Sequence, residues 1–291
     1  MKIAFVVNPA SGRKFQKKVI TDIRRSLQTI HNLVDFEAQT DQEIDLVSHQ
    51  IHSGFDLIIV CGGDGTVSRV SHFLINNETP LLVIPIGSGN DFANHLQMKC
   101  DIDDIHKNIN RFNTVNINTI EIGNGLHHSL TITCFAFEAK VNRIASMLPR
   151  FIGGLKYTIG TFIALLGRSY ETVKIESNNI DETGSYSLAI LANSPSFGGG
   201  MMISNKANVY AENLFLILVN RVNKIKLIYL FILLLAGKHY SRPEFRQFPI
   251  QNLAVQSVDR PIKAQADGDS ITEGNFSAKI LPKSLKVLDC R

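Results

Sequence analysis

Short apolar runs alternate with amphipathic stretches over the first 118 residues of the chain. The runs at 3–7, 57–60 and 81–84 are rich in β-branched residues, which is typical of buried strands. Helical periodicity follows them from about Lys14, after Thr66 and after Asp91. Strands that alternate with helices form parallel βαβ units, so residues 1–118 are expected to fold as an α/β domain with a doubly wound, mostly parallel sheet.

The pattern changes beyond residue 118. Many short strand-like segments follow, and they predict a β-rich sandwich domain over residues 119–280. Two apolar helical segments, 142–168 and 224–238, interrupt this domain. The last strand-like segment, within 281–291, is expected to return to the first domain. Because no Gly/Ser-rich linker separates the two domains, we expect them to pack across a cleft.

The composition is that of an ordinary globular protein, with 44 % hydrophobic and 19 % charged residues. A formal net charge of +4 does not indicate an extended nucleic-acid surface. The four cysteines are scattered without metal-ligand spacing, which indicates reduced thiols. The first residues also lack the regions of a secretory signal, so we expect a cytoplasmic protein.

The most apolar run covers residues 225–236 and is flanked by lysines. At about a dozen residues it is shorter than the roughly 20 needed to span a bilayer, and it predicts a buried or interfacial helix. Any membrane contact should therefore be peripheral. An exposed edge strand or the apolar helices would also support a homodimer.

Three glycine-rich segments follow predicted strands, at 8–12 (Asn-Pro-Ala-Ser-Gly), 62–66 (Gly-Gly-Asp-Gly-Thr) and 85–93 (Pro-Ile-Gly-Ser-Gly-Asn-Asp-Phe-Ala). None has the spacing of a Walker loop or a dinucleotide fingerprint. Each alone is also explained by a capped turn before a helix. In an open α/β sheet, however, ligands bind beyond the carboxyl ends of the strands. Three such loops in one sheet therefore indicate a site for nucleotide phosphates, with Asp64 engaging their Mg²⁺.

These segments resemble the diacylglycerol kinase catalytic family, which includes bacterial lipid kinases and sphingosine kinases. The resemblance extends to Asn193 with the glycines at 198–200, and to Asp267-Gly268-Asp269, which stands where the family has Asp-Gly-Glu. It covers nearly the whole chain. It implies an ATP-binding α/β domain, a β-sandwich domain that takes the lipid, and a site in the cleft between them.

The resemblance also implies roles for individual residues. Asp269 would accept the proton of the lipid hydroxyl, and Asp64 would position the metal-bound phosphates; these two are the predicted catalytic residues. The predicted residues of the ATP site are Asn8, Ser11, Gly12, Thr40, Gly62, Gly63, Asp64, Gly65, Thr66, Ser88, Asn90 and Asp91.

Three positions depart from the family pattern. Asp269 is one methylene shorter than the family's glutamate, and Arg69 replaces a glutamate that usually follows the second loop. Ala211 and Phe215 lie in a stretch where bacterial diacylglycerol kinases carry aspartates that hold a structural Mg²⁺. No residues are therefore assigned to a structural metal.

The predicted function is transfer of the γ-phosphate of Mg-ATP to a lipid hydroxyl, with diacylglycerol at a membrane surface as the acceptor that the resemblance implies. An Asp-Gly pair between strands is also a common hairpin turn, so Asp269 has a purely structural interpretation. Two alternatives stay open: a catalytically divergent protein that binds lipid or nucleotide, and an NAD kinase, which shares the Gly-Gly-Asp-Gly-Thr loop.

Overall fold

The structure is a computed structural model and describes residues 1–12, 14–135, 160 and 172–291. The chain divides into two compact units. The first unit comprises Met1–Ile117 and Lys283–Arg291, and the second comprises Asn118–Pro282. Apart from Gly160, the helical segment predicted at 142–168 lies outside the described residues.

The first unit alternates strands and helices. In chain order its elements are β1 (Lys2–Val7), α1 (Lys14–Gln28), β2 (Asn32–Glu37), α2 (Asp41–Ile51), β3 (Leu57–Gly62), α3 (Asp64–His72), β4 (Leu81–Pro85), α4 (Asp91–His95), α5 (Ile102–Arg111) and the start of β5 (Thr114–Ile122).

The second unit is dominated by strands. They are β6 (His127–Ser129), β7 (Ile132–Phe135), β8 (Thr172–Ser177), β9 (Ile180–Ala192), β10 (Ser196–Phe197), β11 (Met201–Met202), β12 (Leu214–Asn220), β13 (Phe245–Ile250), β14 (Asn252–Ser257), β15 (Lys263–Ala266), β16 (Asp269–Glu273) and β17 (Phe276–Leu288). The helix α6 (Lys224–Leu235) follows β12, and β17 ends in the first unit.

The sheet of the first unit has the strand order β4-β3-β1-β2, and all of its pairs are parallel. The end of β17 adds a parallel contact beside β4, where Val287 pairs with Leu81. Every residue of β3 is buried, as expected for a parallel strand that is covered on both faces. Helix α1 packs with α5, and α2 packs with α3. This is the predicted α/β fold.

Strand β1 lies between β2 and β3, so the chain crosses from β1 to β2 and then passes back to the other side of β1. Such a reversal of strand order opens a crevice at the carboxyl ends of the central strands. Because β1, β3 and β4 are parallel neighbours, the loops that follow them leave the same edge of the sheet. These loops are the three glycine-rich segments.

The strand pairs wholly within the second unit are antiparallel, with the order β16-β15-β7-β9-β8-β14-β17 and with β12 pairing β9 and β13. Side chains alternate along β9: Ala189 and Leu191 enter one buried apolar cluster, whereas Ile190 and Ala192 enter another. The first cluster is the core between the strands of the sandwich, whereas the second also contains Leu227 and Leu230 of α6, so this helix covers the other face of β9. The predicted sandwich is confirmed.

Helix α3 begins at Asp64, before the start that was predicted after Thr66. Gly63 is extended and acts as the N-cap, and its carbonyl accepts the first helical hydrogen bond from the Val67 N–H at 3.0 Å. The prediction was wrong because a Gly-Gly-Asp-Gly run has a low helix propensity, whereas glycine costs little at a helix start. Asp64 and Thr66 therefore lie in the first turn of a helix.

Candidate functional site

Asn8 connects the first glycine-rich loop to the second. Its buried side chain donates from Nδ2 to Oγ1 of Thr66 at 2.9 Å. Its Oδ1 accepts from the N–H of Ala10 at 3.0 Å, and its carbonyl accepts from the N–H of Ser11. Asn8 thus shapes its own loop and fixes that loop against the first turn of α3.

The second and third loops approach each other through glycines. A Cβ added to Gly87 would lie 2.5 Å from the Cα of Gly63, and one added to Gly62 would lie 2.7 Å from the Cβ of Thr66. Neither position can hold a side chain without movement of its neighbours, since real Cβ atoms do not come this close. Glycine is therefore required at positions 62 and 87 for the backbone to adopt this close packing in and between the second and third loops.

Asp64 and Asn90 join the same two loops by a hydrogen bond. The N–H of Asn90 donates to Oδ2 of Asp64 at 2.7 Å. Asn90 has a φ of 56°, a left-handed conformation that asparagine tolerates better than most residues. Its Nδ2 donates to the carbonyl of Gly87 at 3.0 Å, and none of the described residues donates to its buried Oδ1. An oxygen buried in this way is suited to a cation or a ligand donor.

The N-terminus of helix α3 differs from those of α2 and α5. Helix α2 is closed by a capping box between Thr40 and Glu43, and α5 is capped by Asp101. In contrast, no side chain of the described residues caps the start of α3, where Gly63 is the N-cap. The first N–H groups of a helix carry partial positive charge, so this end of α3 can hold an anion.

The remaining predicted ATP residues differ in their surroundings. Ser88, Gly12 and Gly65 are exposed, whereas Asp91 is buried in the first turn of α4. Thr40 follows β2 and is also exposed, and its hydroxyl accepts from the N–H of Glu43 within the capping box. Hydrogen bonds and close backbone approaches thus bring together one set of residues: Asn8, Gly62, Gly63, Asp64, Thr66, Gly87 and Asn90. Thr40 makes none of these contacts and instead caps helix α2.

Arg69 has partners on the neighbouring helix. Its guanidinium lies 2.9 Å from a carboxylate oxygen of Asp41 and 3.3 Å from one of Asp45. The arginine that departs from the family pattern thus forms an ion-pair bridge between α3 and α2. No sequence pattern predicts this bridge, because the three residues meet only when the helices pack together.

In the second unit, Asp267 and Gly268 form the two-residue turn between β15 and β16. Both have positive φ angles, 49° and 98°, as a type I′ turn requires. The Asp267 carboxylate accepts hydrogen bonds from the N–H groups of Leu130, Thr131 and Ile132, and from the hydroxyls of Ser129 and Thr131. This carboxylate fixes the turn to the segment before β7.

Asp269 is the first residue of β16 and is exposed. It lies two positions after the anchored Asp267, opposite Ala266 in the ladder. The hairpin interpretation of Asp-Gly is correct, and it applies to Asp267 and Gly268. Asp269 stands on a rigid turn with its side chain outside the core.

Asn193 is buried beside the same segment. Its Nδ2 donates to the carbonyls of Asn118 and Leu130, both at 2.8 Å, and its N–H donates to the carbonyl of Thr131 at 2.9 Å. The resemblance singled out Asn193. The hydrogen-bond acceptors named here are backbone carbonyls of residues that belong to none of the sequence motifs. Asn193 and Asp267 together fix residues 129–132 from two sides.

Burial and the neighbouring Asp267 carboxylate raise the pKa of the Cys134 thiol to about 12. Cys134 lies on β7 opposite Gln265 of β15, which is two positions before Asp267. A thiol with so high a pKa stays protonated at neutral pH and is a poor nucleophile. Cys134 is therefore a packing residue beside the turn.

The segment with Ala211 and Phe215 is held by a hydrogen bond and by apolar packing. The carbonyl of Ala211 accepts from Nδ2 of Asn118 at 2.5 Å, and Phe215 packs against an apolar cluster of the sandwich. Within residues 1–12, 14–135, 160 and 172–291, no group of three His, Cys, Asp or Glu side chains is arranged to hold a metal ion.

Comparison with known proteins agrees with this division of the chain. Residues 2–122 match the model of the diacylglycerol kinase catalytic domain, and residues 131–289 match that of the YegS C-terminal NAD kinase beta sandwich-like domain. The chain belongs to the diacylglycerol kinase catalytic family. It is thus an ATP-dependent kinase that acts on an alcohol acceptor.

Individual relatives are distant but cover the chain almost completely. A diacylglycerol kinase of Mycobacterium tuberculosis is 24 % identical over 296 residues, which are 99 % of this chain and 94 % of the relative. A crystal structure of a diacylglycerol kinase from Bacillus anthracis str. Sterne has a TM-score of 0.74 and 17 % identity, covering 99 % of this chain and 96 % of the other. An NAD kinase from Archaeoglobus fulgidus in complex with ATP has a TM-score of 0.59 and 13 % identity, covering 99 % and 93 %. These two likenesses show the fold.

Proposed function

We propose that this protein transfers the γ-phosphate of Mg-ATP to the free hydroxyl of diacylglycerol and so produces phosphatidic acid. The observation that carries the proposal is the contact between the second and third loops. There the Asn90 N–H donates to Asp64 at the start of α3, which no side chain of the described residues caps. The acceptor is chosen because relatives that span this chain are named diacylglycerol kinases.

The nucleotide phosphates bind at the N-terminus of α3. The helix supplies N–H groups and partial positive charge there, and Gly63 and Gly65 let a phosphate approach the backbone closely. A Cβ at Gly65 would have no described atom within 4 Å, so this part of the loop borders open space. Asn8 and Thr66 hold the first loop against this turn and orient the site rather than reacting.

The side chains of this region fit a magnesium ion that arrives with ATP. Mg²⁺ prefers oxygen ligands, and the Asp64 carboxylate and the buried Oδ1 of Asn90 both lie at the junction of the loops. When bound, the ion would neutralise charge on the β- and γ-phosphates. We propose Asp64 as its main protein ligand.

Asp269 accepts the proton of the lipid hydroxyl as the hydroxyl oxygen attacks the γ-phosphorus. A base in this position typically contributes about 10²–10⁴-fold to the rate. Asp269 is suited to the role because it is exposed, while Asp267 in the same turn is committed to its hydrogen bonds with residues 129–132.

Phosphate transfer to diacylglycerol in mixed micelles tests the proposal. We would follow labelled γ-phosphate from ATP in the wild type, Asp64→Ala, Asp269→Asn and Asp269→Glu. We expect turnover that depends on Mg²⁺, loss of at least about 10²-fold in Asp64→Ala and Asp269→Asn, and retained activity in Asp269→Glu. Unchanged activity of Asp269→Asn would remove this residue from the mechanism.

Two further substrates separate the rival functions. Free NAD in place of lipid gives product only if the protein is an NAD kinase. ATP binding measured by calorimetry, without transfer to diacylglycerol, to other lipids or to NAD, would contradict the kinase proposal and leave a nucleotide-binding protein. Transfer to a different lipid would keep the mechanism and overturn the choice of acceptor.

A further inference from the structure

Helix α6 exposes an apolar face to solvent. It begins after Asn223, whose side chain caps the N–H of Lys226 at 2.9 Å, and it ends before Gly237, which has a φ of 66°. Large apolar side chains with 38–81 % exposure recur along the helix at Ile225, Ile228, Tyr229, Ile232 and Leu235. This spacing of three and four residues places them on one side of the helix.

The opposite side of α6 is the one that the fold uses. Leu227 and Leu230 are buried and enter an apolar cluster with Ile190, Ile217 and Phe245 of the sandwich. The helix also packs on β11, where Met202 is 44 % exposed. The buried side of α6 makes the contacts with the core. Packing within the described residues therefore does not explain why the exposed side of the helix is also apolar.

The chain around this face is strongly basic. Residues 213–243 contain Arg221, Lys224, Lys226, Lys238 and Arg242 and no Asp or Glu. Lys226 pairs with Glu244, and the Arg242 guanidinium lies 5.4 Å from the ring centre of Tyr229. Lys224 and Lys238 are exposed on either side of the apolar run. The surface thus combines apolar side chains with flanking positive charge.

The length of α6 determines how such a surface could meet a bilayer. Twelve residues give a helix of about 18 Å, whereas the hydrocarbon core is about 30 Å thick. Across the described part of the chain, no helix is long and apolar enough to cross a membrane. A short apolar face bordered by lysines fits a helix that lies in the plane of the interface.

We propose that the exposed face of α6, formed by Ile225, Ile228, Tyr229, Ile232 and Leu235, docks this protein onto an anionic lipid surface. The apolar side chains enter the headgroup boundary, and Lys224 and Lys238 contact lipid phosphates. The preference for a lipid surface over a second copy of the chain has two grounds. It rests on the proposed function, whose acceptor lies in a membrane, and on the lysines, since lysine is depleted at protein interfaces.

Sedimentation with lipid vesicles, without ATP or diacylglycerol, tests the docking surface. Vesicles of phosphatidylcholine with phosphatidylglycerol are compared with vesicles of phosphatidylcholine alone. The variants are Ile228→Ser with Ile232→Ser, and Lys224→Gln with Lys238→Gln. Matched controls are Leu46→Ser, an exposed leucine on α2, and Lys107→Gln, an exposed lysine on α5.

We expect the wild type to bind the anionic vesicles, the isoleucine pair to weaken binding by about tenfold or more, and each lysine to contribute about fivefold. The controls should bind as the wild type does. Absence of wild-type binding, or equal binding by the α6 variants, overturns the proposal. So does conversion of a wild-type dimer to a monomer by Ile228→Ser and Ile232→Ser with vesicle binding unchanged, because a second copy would then cover the face.

Kinase assays with a dispersed short-chain diacylglycerol separate this inference from the proposed function. A protein that binds vesicles through α6 but phosphorylates no diacylglycerol keeps the docking surface and contradicts the proposed reaction. A protein that phosphorylates the dispersed lipid but does not bind vesicles contradicts the docking surface alone.

Discussion

Gly87 and Gly63 face each other so closely that a Cβ on Gly87 would lie 2.5 Å from the Cα of Gly63. One glycine precedes α4 and the other is the N-cap of α3, so two loops from neighbouring strands meet backbone to backbone. The same Cβ would lie 2.8 Å from Oδ1 of Asn90. The position of the Asp64–Asn90 contact therefore depends on the absence of side chains at these two glycines.

Gly87→Ala is expected to lower the free energy of unfolding by about 1–3 kcal/mol, because the new methyl group meets backbone atoms that cannot rotate away. ATP affinity should fall as the loops separate. Gly65→Ala is the stability control, since its Cβ would meet no described atom within 4 Å and alanine favours the helix. Denaturant unfolding of both variants checks the prediction, and equal stabilities would contradict it.

The two carboxylates of the β15–β16 turn should separate stability from activity. Asp267→Asn is expected to lower the free energy of unfolding by about 1–3 kcal/mol, because an amide cannot accept all the bonds from residues 129–132. Asp269→Asn should lower it by less than Asp267→Asn does, since Asp269 is exposed. Thermal unfolding followed by circular dichroism measures both, and a stable Asp267→Asn variant would argue against the anchoring role.

Arg69→Glu is expected to destabilise the first unit by about 1 kcal/mol at low salt, because it places a third carboxylate beside Asp41 and Asp45. The effect should shrink at high salt, which screens partly exposed charges. Arg69→Gln should cost less, since it removes the attraction without adding repulsion. If the charge-swapped variant Arg69→Glu with Asp45→Arg fails to regain stability, the bridge is not the cause.

Stability should decrease between about pH 9 and pH 12 through Cys134. Its pKa rises from an ordinary value of 9.0 to about 12 in the folded chain, because burial disfavours the thiolate. The unfolded chain loses this proton from about pH 9 upward while the folded chain retains it, so the equilibrium shifts toward unfolding. Cys134→Ala should flatten this part of the stability curve relative to the wild type. Identical pH profiles of the free energy of unfolding would contradict the prediction.

The three predicted strands of the first unit, β1, β3 and β4, could be recognised because they are almost entirely buried, whereas the edge strand β2 is largely exposed and has no such apolar run. The apolar runs at 57–60 and 81–84 correspond to β3 and β4, and the glycine-rich motifs fall at their carboxyl ends. Once the sheet is parallel, the loops must leave the same edge, so their convergence follows from the order of elements. The start of α3 was not predictable, because glycines hide a helical turn that tertiary contacts stabilise.

The second unit shows where a motif misleads. The sequence Asp267-Gly268-Asp269 suggests one acidic turn in which both carboxylates are equivalent. In the structure the Asp267 carboxylate accepts hydrogen bonds from the backbone of residues 129–132, whereas Asp269 is exposed. The partners of Asp267 are N–H groups, which every residue except proline possesses and which no sequence pattern marks. A contact of this kind between residues more than 130 positions apart becomes visible only in the fold.

By itself, the sequence determined the alternation of strands and helices in the first part of the chain, the change to consecutive short strands near residue 118, and the positions of the glycine-rich loops. Periodicity and backbone freedom are local properties of the chain, so the sequence shows them directly. Only the tertiary structure decided that Gly63 meets Gly87, that Arg69 bridges two helices and that one side of α6 stays exposed. These features depend on which surfaces pack together, and packing joins residues whose separation along the chain carries no information about their distance in space.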